Sequence, residues 1–217
     1  MTRGRFITLE GLEGAGKSTA LTRVREYLQR QGIDAVMTRE PGGTPLGERI
    51  RALLLGQSEP PMAPATEALL MFAARSEHLD KRIWPALERG QWVVCDRFTD
   101  ASYAYQGWGR GLGAERIAAL EDWTQGALRP DLTLWLDVPV ETGLARAAGR
   151  GEAPDRFEQE RDGFFERVHE GYAALAERFP ERIRRVDAGQ PLEAVLTALE
   201  EALASAVTRW LSGTEAH

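Results

Sequence analysis

The run Gly11-Leu12-Glu13-Gly14-Ala15-Gly16-Lys17-Ser18 follows the pattern G-x-x-x-x-G-K-[ST]. Glycines at these positions let a tight loop turn its backbone N–H groups inward on phosphate oxygens. A lysine at the end of such a loop reaches the β- and γ-phosphates of a bound ATP, and a hydroxyl beside it can ligate Mg²⁺. Gly11 to Ser18, with Thr19 next in the chain, are therefore the candidate donor-phosphate residues. Of the 27 basic residues only Lys17 and Lys81 are lysine, so a lysine placed here stands out against an arginine background. Asp96 closes an apolar run and is, with Ser18, a candidate metal ligand, since a carboxylate after a buried strand can hold the ion directly or through water.

The phosphate loop does not by itself name a reaction. A guanine-reading N-K-x-D motif is absent, because Lys81 is followed by Arg82 and Ile83. A small-molecule kinase needs cationic groups for two phosphate-bearing substrates, and short arginine motifs recur along the chain: Thr38-Arg39-Glu40-Pro41-Gly42-Gly43-Thr44, Phe72-Ala73-Ala74-Arg75, Asp96-Arg97-Phe98 and Asp155-Arg156-Phe157-Glu158. Arg39 and Arg97 follow strand ends and could clamp an acceptor phosphate. Phe72 and Arg75, three apart on a helix, share a face. Such a pair can stack on a base and bond its edge carbonyl, or be a core ring beside a surface cation.

The elements that must position these groups read as alternating strands and helices. Strands are expected at residues 6–9, 35–38, 92–95, 132–138 and 182–187. Helices are expected from Lys17 to about Gln31, at 46–55, from about 65 to 89 with a kink or break at Pro85, at 114–125 and at 139–148. Further helices should run from about 158 to Phe179 and over 191–211. This alternation predicts an α/β fold with a five-stranded parallel sheet and helices on both faces, as one domain over residues 1–217. Ligands in such folds bind beyond the carboxyl ends of the strands, where the motifs above fall.

Taken in order from Phe6 to about Ala188, these motifs, with Ala104-Tyr105-Gln106-Gly107, closely resemble those of bacterial thymidylate kinases, nucleoside monophosphate kinases with a phosphate loop. The resemblance implies transfer of the γ-phosphoryl group of Mg·ATP to dTMP, with dTDP and ADP as products. It implies that Phe72 and Arg75 hold thymine and that Tyr105 packs on the sugar and disfavours a 2′-hydroxyl. Ser102 and Gln106 would lie on the base side. Glu13 would meet the acceptor sugar and position its phosphate near the metal. Arg146, Arg150 and Arg156 would belong to a mobile lid at about 146–158, with Arg146 and Arg156 on the donor and Arg150, like Lys17, Glu13 and Arg97, acting on the transferring group. Ala101 stands where the family usually has serine. A homodimer through a helical face is implied too, and the Leu69-Leu70-Met71 run is compatible with one. A UMP or CMP kinase and a phosphate-loop switch protein are the alternatives.

The bulk composition agrees with a cytoplasmic enzyme that has a solvated acidic surface. A net charge of −6 and a pI near 5.3 are the wrong sign for a partner with a phosphate backbone. Cys95, the one cysteine, reads as a buried hydrophobe in a reducing compartment. No signal-peptide core and no stretch near the ~20 apolar residues of a membrane span is visible.

Overall fold

The computed structural model describes residues 3–57, 59–149, 155–160 and 163–213. Its centre is β1 (Phe6–Gly11), buried at every position, flanked by β3 (Trp92–Asp96) and β4 (Leu132–Asp137). The outer strands are β2 (Ala35–Arg39) and β5 (Ile183–Asp187), so the order is β2-β3-β1-β4-β5, all parallel. Strands covered on both faces need apolar residues at nearly every position, which is why β1 and β3 read as short continuous runs.

The register brings the strand ends into line. Asp96 lies opposite both Leu9 and Arg39, and Asp137 opposite Asp187. The loops after β1, β2 and β3 therefore open on one edge. From there α1 (Lys17–Arg30) follows the phosphate loop and α2 (Pro45–Leu55) follows β2. Thr44 caps α2 by accepting from Gly47 N at 3.0 Å, with Pro45 in the first turn.

The long helix expected over 65–89 is divided. α3 (Pro64–His78) passes through a π-helical turn, Leu79–Ile83, into the short α4 (Trp84–Glu88). Pro85 has no N–H for the ladder, and the wider turn just before it takes up the mismatch. Leu79, Ile83 and Leu87 pack with Phe6, Val93, Cys95 and Phe98 beneath β3. After β3 come α5 (Thr99–Ser102) and a second π-helical segment, Tyr103–Gly109. α6 (Ala114–Gln125) then packs beside α3, and α7 (Val140–Ala148) follows β4. α8 (Phe164–Arg178) starts later than expected, because 155–160 forms a turn rather than helix. Against the Tyr103–Gly109 segment α8 packs so closely that a Cβ at Gly171 would lie 3.0 Å from Ala104 Cα. α9 (Leu192–Leu211) closes the chain against α1. Among the described residues no helix is long and apolar enough to cross a membrane.

Candidate active site

The phosphate loop bends where glycine is needed. Gly14 and Gly16 have φ of 71° and 88°, and a Cβ on Gly14 would fall 2.0 Å from Gly143 O of α7. The loop is thus seated against α7. Lys17 Nζ donates to Gly11 O at 3.2 Å and Leu12 O at 3.1 Å. Burial, and then repulsion from Arg97, pushes the Lys17 ammonium down to about 8.

Beside the loop, Glu13 ties two other elements together. Its Oε1 accepts from Arg97 Nη2 at 2.8 Å and its Oε2 from the Tyr105 hydroxyl at 2.7 Å. Burial works to raise the Glu13 carboxyl, but Arg97 and Lys17 outweigh it and hold the group below the usual carboxylate range. The Arg97 guanidinium lies over the Tyr105 ring, 4.7 Å from its centroid. Arg97 itself has φ of 65°, the one positive φ outside glycine among the described residues. That conformation costs a non-glycine residue about 1–2 kcal/mol.

A cavity of about 410 Å³ runs along this edge. Gly14, Gly16, Lys17, Ser18 and Thr19 form one wall with Asp96, Arg97 and Arg146. Asp96 Oδ1 is buried and has no hydrogen-bond partner in the protein. Arg39 lines the same cavity, bonded to Glu48 Oε2 at 2.8 Å, as does Arg51 of α2, which donates to Pro41 O at 3.0 Å. Among the described residues no three His, Cys, Asp or Glu side chains converge to cage a metal. One orphaned Asp96 oxygen and the Ser18 hydroxyl, both in the cavity wall, would fit Mg²⁺, which keeps waters and takes phosphate oxygens in preference to an all-protein shell.

A chain of polar contacts runs from Thr38, outside the cavity, to Glu40, Arg75 and Ser102 in the wall of its far end. Thr38 Oγ1 and His78 Nε2 lie 2.6 Å apart, and His78 Nδ1 lies 3.0 Å from Glu40 Oε1. Glu40 Oε2 accepts from Arg75 Nε at 2.7 Å, and Arg75 Nη2 donates to Ser102 Oγ at 2.9 Å. The Arg75 guanidinium is sandwiched between Phe72, at 4.5 Å, and Phe98, at 4.9 Å. Its remaining nitrogen, Nη1, is buried without a partner, and Arg75 lines the cavity beside Met71, Ala101, Ser102, Tyr105 and Gln106.

Several expected site residues lie elsewhere. Phe72 is buried behind Arg75 and is not in the cavity wall, whereas Met71 is. Spacings of three and four both bring residues onto one helix face, and here the residue four before Arg75 faces the cavity. The side chains of Leu12 and Ala15 pack in the apolar core, so the expected phosphate contacts of these positions rest on backbone N–H groups alone, and Gly11 O accepts from Lys17 Nζ. Arg156 is not in the wall either. Its Nε donates to Leu54 O at 2.8 Å and its Nη1 to Glu67 Oε2 at 2.7 Å. Glu67, fully buried on α3, also receives Arg110 and Gln106. Arg156 thus fastens the 155–160 turn to α2 and α3, leaving Asp155, Phe157 and Glu158 to face the cavity. Arg146 lines the wall and donates to Ala188 O at 2.8 Å. Arg150, with residues 151–154, lies outside the described residues.

Glu40, His78 and Arg51 were not singled out from the sequence, and Met71 entered only through the Leu69-Leu70-Met71 run read as compatible with a dimer face, whereas it lines the cavity. Glu40 stands inside the Arg39–Thr44 motif and Met71 beside Phe72, so both were within reach. His78 and Arg51 become legible only once α2 and α3 are packed. Glu10, the buried carboxyl in β1, was also passed over, and burial pushes it up to about 8.

A parallel sheet with a phosphate loop after β1, a carboxylate after β3 and arginines for a second anion defines a nucleotide kinase of the phosphate-loop class. The sequence model of the family described as "Thymidylate kinase" matches residues 9–199. The chain is 61% identical over 206 residues to a thymidylate kinase of Pseudomonas entomophila (strain L48), covering 95% of this chain and 98% of that one. It is 56% identical to one from Teredinibacter turnerae, over 92% and 97% of the two chains, and 55% identical to one from Nitrosospira multiformis, over 94% and 98%. The chain belongs to the thymidylate kinase family.

Proposed function

We propose that the protein phosphorylates dTMP to dTDP with ATP as donor, the step that leads towards dTTP. The observation that carries this reading is one cavity whose wall runs from the phosphate loop past Arg39 and Arg97 to Arg75, Met71 and Gln106. One wall suits a triphosphate, the middle a second phosphate, and the end a base bearing a carbonyl. Phosphoryl transfer between such groups is mainly positioning and charge stabilisation. Lys17 neutralises the β- and γ-oxygens, and Arg97, fixed by Glu13, orients the acceptor phosphate in line with Arg39. Mg²⁺, held through Ser18 and Asp96, would supply further charge neutralisation on the donor phosphates. No protein base is needed, because a monophosphate with a second pKa near ~6 is largely dianionic at pH 7. Tyr105, whose hydroxyl donates to Glu13, lines the cavity and in this reading packs on the sugar.

Residues 1–217 work as one catalytic unit in this reading, with the 146–158 segment as the lid that excludes water. A homodimer is supported by the exposure of Leu69 on α3 (55%) and Trp123 on the adjacent α6 (84%). The buried free Cys95 fits a reducing, cytoplasmic setting. A coupled ADP-release assay over dTMP, dUMP, dCMP, UMP, CMP and dGMP tests the acceptor. The highest kcat/KM should fall to dTMP. A preference for UMP or CMP would replace this reading with a different monophosphate kinase, and ATP hydrolysis indifferent to any acceptor would replace it with a switch.

A further inference from the structure

On one face of β1 the sheet carries polar residues, Thr8 and Glu10, where an apolar stripe would be expected. Thr8 and Glu10 are both fully buried. Thr8 is accounted for by Thr133 Oγ1 of β4, 2.8 Å away. Glu10 takes no part in the chemistry above, and a buried carboxyl is costly unless its contacts serve a purpose. Both of its oxygens are used, and both contacts converge on one residue.

Arg97 is held in its left-handed conformation from three sides. Its own N–H donates to Leu9 O at 2.9 Å, continuing the sheet. Its carbonyl accepts from the Cys95 thiol at 3.1 Å. The next N–H, that of Phe98, donates to Glu10 Oε1 at 2.7 Å. The second oxygen, Oε2, accepts from the Tyr172 hydroxyl of α8 at 2.8 Å, and Arg97 Nη1 donates to that same hydroxyl at 3.3 Å. One carboxyl thus holds the backbone just past Arg97 and, through Tyr172, the tip of its side chain. Residues in strained conformations persist where their surroundings over-determine them, and Glu10 is the group that binds both ends.

We propose that Glu10 is the positioning residue for Arg97, fixing through Phe98 N–H and the Tyr172 hydroxyl the direction in which the guanidinium meets the acceptor phosphate. The inference rests on the reading of Arg97 as an acceptor-phosphate group. The Arg97–Glu13 bond at 2.8 Å sets one nitrogen, and the Glu10–Tyr172 arm sets the other. A guanidinium fixed at two nitrogens has its plane defined, as in-line transfer requires.

Steady-state kinetics on Glu10→Ala, Glu10→Gln, Arg97→Ala and the Glu10→Ala/Arg97→Ala double variant test this. Arg97→Ala should lower kcat/KM for dTMP by about a hundredfold, and Glu10→Ala by about tenfold or more, with the KM for ATP within about twofold of wild type. A loss of folded molecules would lower apparent kcat and leave the KM for dTMP unchanged, so a raised KM separates positioning from stability. Glu10→Gln keeps an oxygen for Phe98 N–H, but its amide can only donate to the Tyr172 oxygen and not accept from it, so this variant should lose less than Glu10→Ala without matching wild type. The double variant should be no worse than Arg97→Ala alone, because Glu10 acts through Arg97. Equal damage from Gln and Ala, or a full further loss from Glu10→Ala without Arg97, would overturn the proposal. If Glu10→Ala does not fold, Tyr172→Phe carries the test. It should lower kcat/KM for dTMP by about threefold or more in wild type and change nothing in Arg97→Ala, and an unchanged wild-type value overturns the inference. Were Arg97→Ala itself harmless, the acceptor-phosphate reading would fall and this inference with it. Were another monophosphate the true acceptor, the same cycle run on that acceptor would still read the Glu10–Arg97 coupling.

Discussion

Replacing Arg75 by methionine should separate two consequences of one guanidinium. The side chain is 2% exposed, gives Nε to Glu40 and Nη2 to Ser102, keeps Nη1 buried without a hydrogen-bond partner, and belongs to the cavity wall. Methionine keeps most of the length and can pack between Phe72 and Phe98. Glu40, itself buried, is then left with His78 Nδ1 at 3.0 Å as its remaining side-chain partner. Removing one member of a buried ion pair costs about 3–5 kcal/mol, and the surviving His78 contact places the expected loss near 3. For a chain of this size that corresponds to a fall in Tm of roughly 6–12 °C. The functional loss is a separate quantity. A charge-assisted hydrogen bond to a base carbonyl is worth about 1.5–3 kcal/mol, or roughly 10- to 150-fold in kcat/KM for dTMP. The KM for ATP should stay near wild type, because the phosphate loop lies at the other end of the cavity. Circular dichroism gives the Tm, and a coupled ADP-release assay well below it gives the kinetics. If kcat/KM for dTMP stays within about threefold of wild type while Tm falls as expected, Arg75 is purely structural and the base-reading argument fails.

Three further outcomes follow from the same geometry. Lys17→Ala should lower kcat by about a hundredfold or more with the fold intact by circular dichroism, and retention of a tenth of the wild-type value would refute its role. Met71→Ala should raise the KM for dTMP, whereas Phe72→Leu should chiefly lower Tm. The opposite pattern in paired kinetic and melting measurements would return Phe72 to the base. Stability should also carry the signature of Glu10, whose carboxyl faces Asp100, Arg97 and the Tyr172 hydroxyl. Its folded pKa is raised to about 8, so the folded state keeps a proton that the unfolded chain releases near pH 4.5. Wild-type stability relative to Glu10→Gln should therefore decline as pH rises from about 4.5 to 8, and a difference flat across that range in urea titrations would contradict the assignment.

The features legible in the sequence are those fixed by local geometry. Gly14 and Gly16 need positive φ, so the phosphate loop announces itself by residue type alone. Strand and helix alternation led to the parallel sheet because the buried strands are short apolar runs between helical periods. The losses come where two local rules agree equally well, or where only packing decides. Phe72 and Met71 both share a face with Arg75, and only the seating of α3 between α2 and α6 decides which one enters the cavity. Arg156 looked like a free lid cation because nothing local pairs it with Glu67, 89 residues away. Glu10 sits in an apolar strand where the pattern offers no reason for charge; its reason appears only when Phe98 arrives from the turn after β3 and Tyr172 from α8. The π-helical turn before Pro85 was half legible, since the proline marks a break without saying how the helix continues.

The central claim is that one cavity moves a phosphoryl group from ATP to the phosphate of dTMP. The most direct test is to incubate the protein with Mg²⁺, dTMP and ATP labelled at the γ-phosphorus, and to separate the nucleotides by chromatography. The label should appear in dTDP in amounts equal to the ADP formed. Label released as inorganic phosphate in place of dTDP, with dTMP unconsumed, would contradict the account.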